Sequence, residues 1–173
     1  MKKYILLAII IVMINLLLVG CSVENDTQNC SDALSGELST TEGLLVGNWV
    51  LTAMVTETEI DLTDDNVINP STNIFEQFSE CERDVVYGFQ NDRKFTFKQG
   101  YTIALCNSKE LVDGTWKFDQ NQLTLVTGCS TQTIVITLNS NFISFTVEGN
   151  YSFKDVNGLI VSSKVTLTYE KSM

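Results

Sequence analysis

The chain has 173 residues, 21 of them acidic and 11 basic, no histidine, and a formal charge of −10 at pH 7. Without histidine, Ser/His/Asp and Cys/His catalysis are excluded, and the commonest general base and metal ligand is missing. The acidic excess repels phosphate backbones and anionic lipid, which sets nucleic acid aside as a partner.

Lys2 and Lys3 precede an apolar run from Ile5 to Val19 that only Asn15 interrupts. A cationic start followed by ~15 apolar residues has the layout of a secretory signal peptide. The run is shorter than the ~20 residues of a permanent spanning helix. Leu18-Val19-Gly20-Cys21 resembles the lipobox of bacterial lipoproteins. That resemblance implies that the Cys21 thiol, the nucleophile of the site, takes up a diacylglycerol, that residues 1–20 are removed, and that the acyl chains on Cys21 anchor the protein stably in a membrane. Both lysines leave with the signal and no acid does, so the mature charge falls from −10 to −12. Ser22 rather than Asp after the cysteine implies, within Gram-negative lipoproteins, the outer membrane rather than the inner. The covalent lipid is the only cofactor-like group expected.

Ser22 to about Glu42 is rich in Ser, Thr, Asn, Asp and Glu. With few apolar side chains to offset ordering entropy, residues 21–42 are expected to form an acylated, flexible linker. Residues 43–173 then suit one domain, expected to be monomeric. Of five cysteines, Cys21 is assigned to lipid. Cys30, Cys81, Cys106 and Cys129 remain, with three connectivities open. The favoured pair is Cys81 with Cys106, which flank a predicted hairpin and would close a loop worth ~3 kcal/mol by chain entropy. Cys30 and Cys129 form the second candidate pair, tying the linker to the rim of the domain. Their spacing lacks the grouping of a zinc site.

From Gly47 onward the hydrophobic period is two. Phe95 and Phe97, Trp116 and Phe118, Ile134 to Leu138, Ile143 to Val147 and Val165 to Tyr169 all alternate with polar neighbours, as strands with one buried face do. Strands are predicted at 84–90, 93–98, 112–118, 122–128, 132–138, 142–154 and 159–170, besides one opening at Trp49. Turn residues such as Asn91-Asp92, Asp119 to Gln122 and Asp155 to Gly158 separate them; Gly149-Asn150 is a candidate bulge. Eight consecutive antiparallel strands favour an all-β, up-and-down meander closed into a barrel, since closure removes exposed edges. Residues 61–82 interrupt the meander as a long loop with one helical turn, Ile74 and Phe78 sharing its face.

Gly47-Asn48-Trp49 resembles the G-x-W opening of lipocalins. Cys81-Glu82-Arg83-Asp84, Phe89 to Asp92, Cys106, Gly114-Thr115-Trp116 and Leu123-Thr124-Leu125 resemble the lipocalin-like domains of Gram-negative lipoproteins, over about residues 43–170. The resemblance implies an eight-stranded barrel whose base is plugged by Trp49. Trp116 is assigned the same structural role. Two departures stand out. Arg93 occupies a turn position where glycine is expected. The late arginine that stacks on the tryptophan in lipocalins has no clear counterpart, Lys164 and Lys171 being poor substitutes.

No nucleophile elbow, phosphate loop or dinucleotide motif is present. Glu57, Glu59 and Asp61 share one face of an extended strand, and Asp61, Asp64, Asp65 and Asn66 crowd one loop. A solvated acidic edge is favoured over a weak cation site, because EF-hand spacing is missing. Trp49, Phe89, Phe95, Phe97, Trp116 and Phe118 are expected to fill, or nearly fill, an interior just wide enough for side chains or one small ligand. The expected function is binding of a small apolar ligand without catalysis. The alternative is a surface or periplasmic interaction domain with a filled barrel, contacting a protein or glycan.

Overall fold

The computed structural model describes residues 30–172; Cys21 and the proposed signal peptide lie outside the described residues. The first element is α1 (Thr40–Leu45), started by a capping box in which Ser39 and Glu42 satisfy each other's backbone N–H groups. Nine strands follow: β1 (Gly47–Ile60), β2 (Ser71–Asn73), β3 (Val85–Phe89), β4 (Lys94–Gln99), β5 (Glu110–Asp119), β6 (Gln122–Thr127), β7 (Ser130–Leu138), β8 (Ser144–Lys154) and β9 (Ile160–Lys171). A short helix, α2 (Glu80–Arg83), precedes β3.

β1 and β3 to β9 pair antiparallel in chain order, and β9 returns to β1. The result is a closed eight-stranded up-and-down barrel. Trp49 lies opposite Lys171 and Thr56 opposite Val165 along the closing seam, with one irregularity between Leu51 and Ala53. β2 is a short addition that pairs with the far half of β1, at Val55 and Ile60, where β3 no longer reaches.

Three local expectations change. Gly149 and Asn150 pair without interruption with Val165 and Lys164, so they form no bulge. The turn within 61–82 is a single 3-10 turn, Phe75–Gln77, after which Phe78 is extended. Ile74 is fully buried just before this turn, and the two side chains share no helical face. Finally, the linker is shorter than its composition implies. Leu34 N–H donates to Thr115 Oγ1 (2.8 Å), the Thr131 hydroxyl to Ser31 Oγ (2.7 Å), and Glu42 is buried. Residues 30–42 are therefore part of the folded domain. Most of their side chains stay exposed, but a few bonds to the barrel wall and the buried Glu42 hold the segment in place, which no local pattern reveals.

Candidate functional site

The barrel has two unlike ends. One, the base, holds the turns 90–93 and 119–122, the start of β8 and the end of β9; the other, the mouth, holds the loops 61–70, 100–109, 128–129 and 155–159. Strand directions follow from the antiparallel order, so each wall strand contributes one end to each.

At the base, Trp49, Trp116, Phe89, Phe95 and Phe145 are all essentially inaccessible. Trp49 packs on Phe145 at 5.0 Å between ring centroids, and Phe89 on Trp116 at 5.1 Å. Trp49 Nε1 donates to the Leu45 carbonyl (2.7 Å), satisfying the last turn of α1. Trp116 Nε1 donates to the Gln90 carbonyl (3.1 Å). Both indoles thus sit where side chains close the barrel. Glycine makes this packing fit. A Cβ on Gly114 would lie 2.1 Å from the Val126 carbonyl oxygen and 2.9 Å from the Phe95 ring.

Lys171, read from the sequence as a poor substitute for the missing arginine, reaches across the base with Nζ 5.4 Å from the Trp49 ring centroid and donates to the Leu44 carbonyl at 2.9 Å. It supplies the cation over the tryptophan for which the lipocalin resemblance offered no arginine. Gly47 makes room for it, since a Cβ there would come 2.8 Å from Lys171 Cε.

Arg93 explains the missing turn glycine. Its backbone is left-handed (φ 66°), an arrangement that costs a non-glycine residue ~1–2 kcal/mol. In return the guanidinium enters the base and all five N–H groups find acceptors. Nη1 and Nη2 hold the two Glu42 carboxylate oxygens at 2.7 and 3.1 Å; Gly36, Glu37 and Trp116 carbonyls take the rest. Glu42 also accepts from the backbone N–H groups of Ser39 and Phe118. Burial pushes the Glu42 carboxyl up, but Arg93 and these N–H groups outweigh it and bring it down to about 2. The pair locks α1 and the 36–37 segment across the barrel bottom.

Toward the mouth the interior is hollow, which corrects the expectation of a filled barrel. A cavity of about 370 Å³ lies above Phe95, walled by Tyr87, Phe97, Val112 and Leu125, with Glu110, Thr127, Ser130 and Gln132 nearer the opening. A second space of about 140 Å³ shares Tyr87 and Gln132 and extends to Ile134, Val147, Tyr151 and Leu167. The cause is a parted seam. β7 and β8 pair only through Ile136, Thr137 and Leu138 with Val147, Thr146 and Phe145. Above these pairs Ser130–Val135 bond to β6 alone and Glu148–Lys154 to β9 alone. Tyr87 forms the floor between the spaces, 5.1 Å from Phe97 and 5.4 Å from Tyr169. Burial, then the charges of Tyr151 and Glu110, push its hydroxyl up to about 12.

Two disulfides frame the mouth. Cys81–Cys106 joins the segment before β3 to the 100–109 loop. The buried Asp84 carboxylate reinforces it, accepting from the backbone N–H groups of Thr102 and Ile103 and from the Thr102 hydroxyl. Cys30–Cys129 fastens the start of the described chain to the β6–β7 turn on the rim.

The acidic loop does not assemble into a cation site. Glu57 and Glu59 are exposed, while Asp61 is buried. The Asp61 carboxylate accepts from Asn69 N–H, Thr63 N–H and the Thr63 hydroxyl. The Asn69 bond leads in holding its carboxyl below the usual range. Among the described residues no three potential metal ligands converge, and no helix is long and apolar enough to cross a membrane.

No curated protein matches the chain. The family described as Domain of unknown function (DUF5004) matches residues 24–172. That span takes in the described part of the base plug, both disulfides and every strand of the barrel. The chain belongs to this DUF5004 family.

Proposed function

We propose that the protein is a lipid-anchored barrel that binds a small, largely apolar ligand in its half-open mouth, without catalysis. The observation that carries the reading is the cavity of about 370 Å³ between Tyr87, Phe97, Val112 and Leu125. Its size falls in the range of small-molecule sites, and an apolar wall with a few polar groups near the entrance is their usual make-up. The solid base below it acts as a rigid floor. A hollow mouth favours this reading over an interaction domain with a filled barrel.

The anchor on Cys21 gives the mouth an orientation. Cys21 stands nine residues before Cys30, a span of at most about 30 Å even when fully extended. Cys30 is bonded to Cys129 on the rim. A lipid on Cys21 therefore tethers the molecule to the bilayer from its mouth end, which favours a mouth facing the membrane. Leu159 and Ile160, 64% and 70% exposed, lie at the tip of the β8–β9 hairpin at the same end. An apolar ligand is thereby taken up from, or delivered to, a nearby lipid phase, in the outer membrane of the envelope.

Native mass spectrometry of the mature protein purified from its host tests the reading. A small molecule that co-purifies with the lipidated chain and is lost on denaturation is the expected result. Repeated preparations with an empty barrel, together with no uptake of an uncharged apolar dye, would overturn it.

A further inference from the structure

We infer that the cavity selects a ligand with a cationic amine head on an apolar body, and discriminates against carboxylates. The inference rests on the ligand-binding reading above and deepens it.

The argument is one of charge placement. Along the mouth half of the barrel, the two spaces are walled by aromatic, aliphatic and uncharged polar side chains. Glu110 is the single ionisable exception apart from the tyrosines, and no lysine or arginine faces either space. Strand alternation explains this: Glu110 lies on the same face of β5 as Val112, Gly114 and Trp116, at the outer end of the strand. Lys109, its neighbour, points elsewhere, with Nζ 5.4 Å from the Tyr101 ring. Among the described residues the ion pairs are Arg83–Glu76, Arg93–Glu42, Lys94–Asp92 and Lys164–Glu148, so Glu110 has no cationic partner.

An ammonium group entering the mouth meets this carboxylate in an aromatic-walled opening that includes Phe97, and aromatic rings attract a cation through their quadrupoles. The alkyl or aryl body then lies against Phe95, Val112 and Leu125. A carboxylate head meets Glu110 with the same sign and finds no cation in the wall. The uncompensated acidic charge of the whole chain adds to both preferences at long range.

The test uses the chain from Ser22 onward, which keeps every described contact and both disulfides. Displacement of the uncharged dye N-phenylnaphthylamine by decylamine, decanol and decanoate compares three head groups on one tail. The expected order is amine, then alcohol, then acid, with the amine about two- to five-fold tighter than the alcohol, as one solvated charge pair allows. In Glu110→Gln the advantage of amine over alcohol collapses. In Glu148→Gln, which removes an exposed carboxylate outside the cavity, it persists. Equal affinity of amine and alcohol, tightest binding of decanoate, or an amine preference retained in Glu110→Gln each overturns the inference while leaving ligand binding intact. Failure of the dye and all three compounds to bind overturns both.

Discussion

The base and the mouth of this barrel are built from the same strands, yet one is solid and the other hollow. At the base, every wall strand is paired on both sides, and Trp49, Trp116, Phe89 and Phe145 close on one another without exposure. A buried ion pair adds direction: Arg93 and Glu42 hold α1 in one place across the bottom. At the mouth, β7 and β8 separate after three pairs, and smaller or polar inward residues such as Thr127, Ser130 and Gln132 leave a cavity. The comparison teaches that inward-facing alternation alone does not make a core. Filling depends on side-chain volume at each level and on whether neighbouring strands stay in register.

The contrast can be broken most severely at the base. Arg93→Ala strands the Glu42 carboxylate in a buried site and is expected to cost about 3–5 kcal/mol, read as a lower urea midpoint with little change in slope. Phe145→Ala should fall in the same range, about 3–5 kcal/mol for a buried aromatic. Phe97→Ala at the half-exposed mouth should cost less than half of that, while weakening dye binding. Equal losses at the two sites would show that the mouth is as tightly packed as the base.

Removing the Cys30–Cys129 bond by the paired change to serine is expected to cost about 2–4 kcal/mol. It should also free the anchor from the rim. On vesicles, quenching of a probe on the 155–159 loop by brominated lipid should fall in the lipidated double variant. Unchanged quenching would contradict the orientation proposed for the mouth.

The two ends should also fail at opposite extremes of pH. Glu42 is held at about 2 against an ordinary 4.5, so its contribution is complete above about 4.5 and is lost as the pH falls toward 2. The linked loss is on the order of 3 kcal/mol. Tyr87 is raised from 10.0 to about 12. Its neutral form is favoured in the folded state, so its contribution is complete below 10 and is lost as the pH rises toward 12. Acid should therefore loosen α1 first, seen by hydrogen exchange at residues 36–45. Alkali should expose Tyr87 first, seen as cooperative tyrosinate absorbance. The smallest effect belongs to the exposed Lys164–Glu148 pair, where Glu148→Gln should stay within about 0.5 kcal/mol in thermal denaturation.

Much of the fold is legible in local pattern. The period of two in 94–98, 116–118, 134–138 and 165–169 places strands within a residue or two of where they form, because a half-buried strand must alternate whatever its partner. Closure follows from the number of strands and the cost of open edges. The pairing of Cys81 with Cys106 is suggested by the hairpin between them, and the even count of the remaining cysteines leaves Cys30 and Cys129 to each other. The candidate site is less legible. Phe95 and Phe97 look alike in sequence, but Phe95 is fully buried at the bottom of the cavity and Phe97 is half-buried nearer its opening. Glu110 is exposed and reads as one more surface acid until the inward face of β5 is seen to place it at the cavity opening.

By itself, then, the sequence determined the period, the eight strands of the barrel though not the short β2, most turns between them, the absence of histidine chemistry and the acidic charge, all properties of single residues and their near neighbours. Tertiary structure alone decided the rest. It drew residues 30–42 onto the wall, sent Arg93 to Glu42 across a separation of 51 residues, set Lys171 over Trp49, and parted β7 from β8 to open the mouth. Each of these depends on which distant surfaces meet when the barrel closes, and contacts between distant segments leave no period in the chain that makes them.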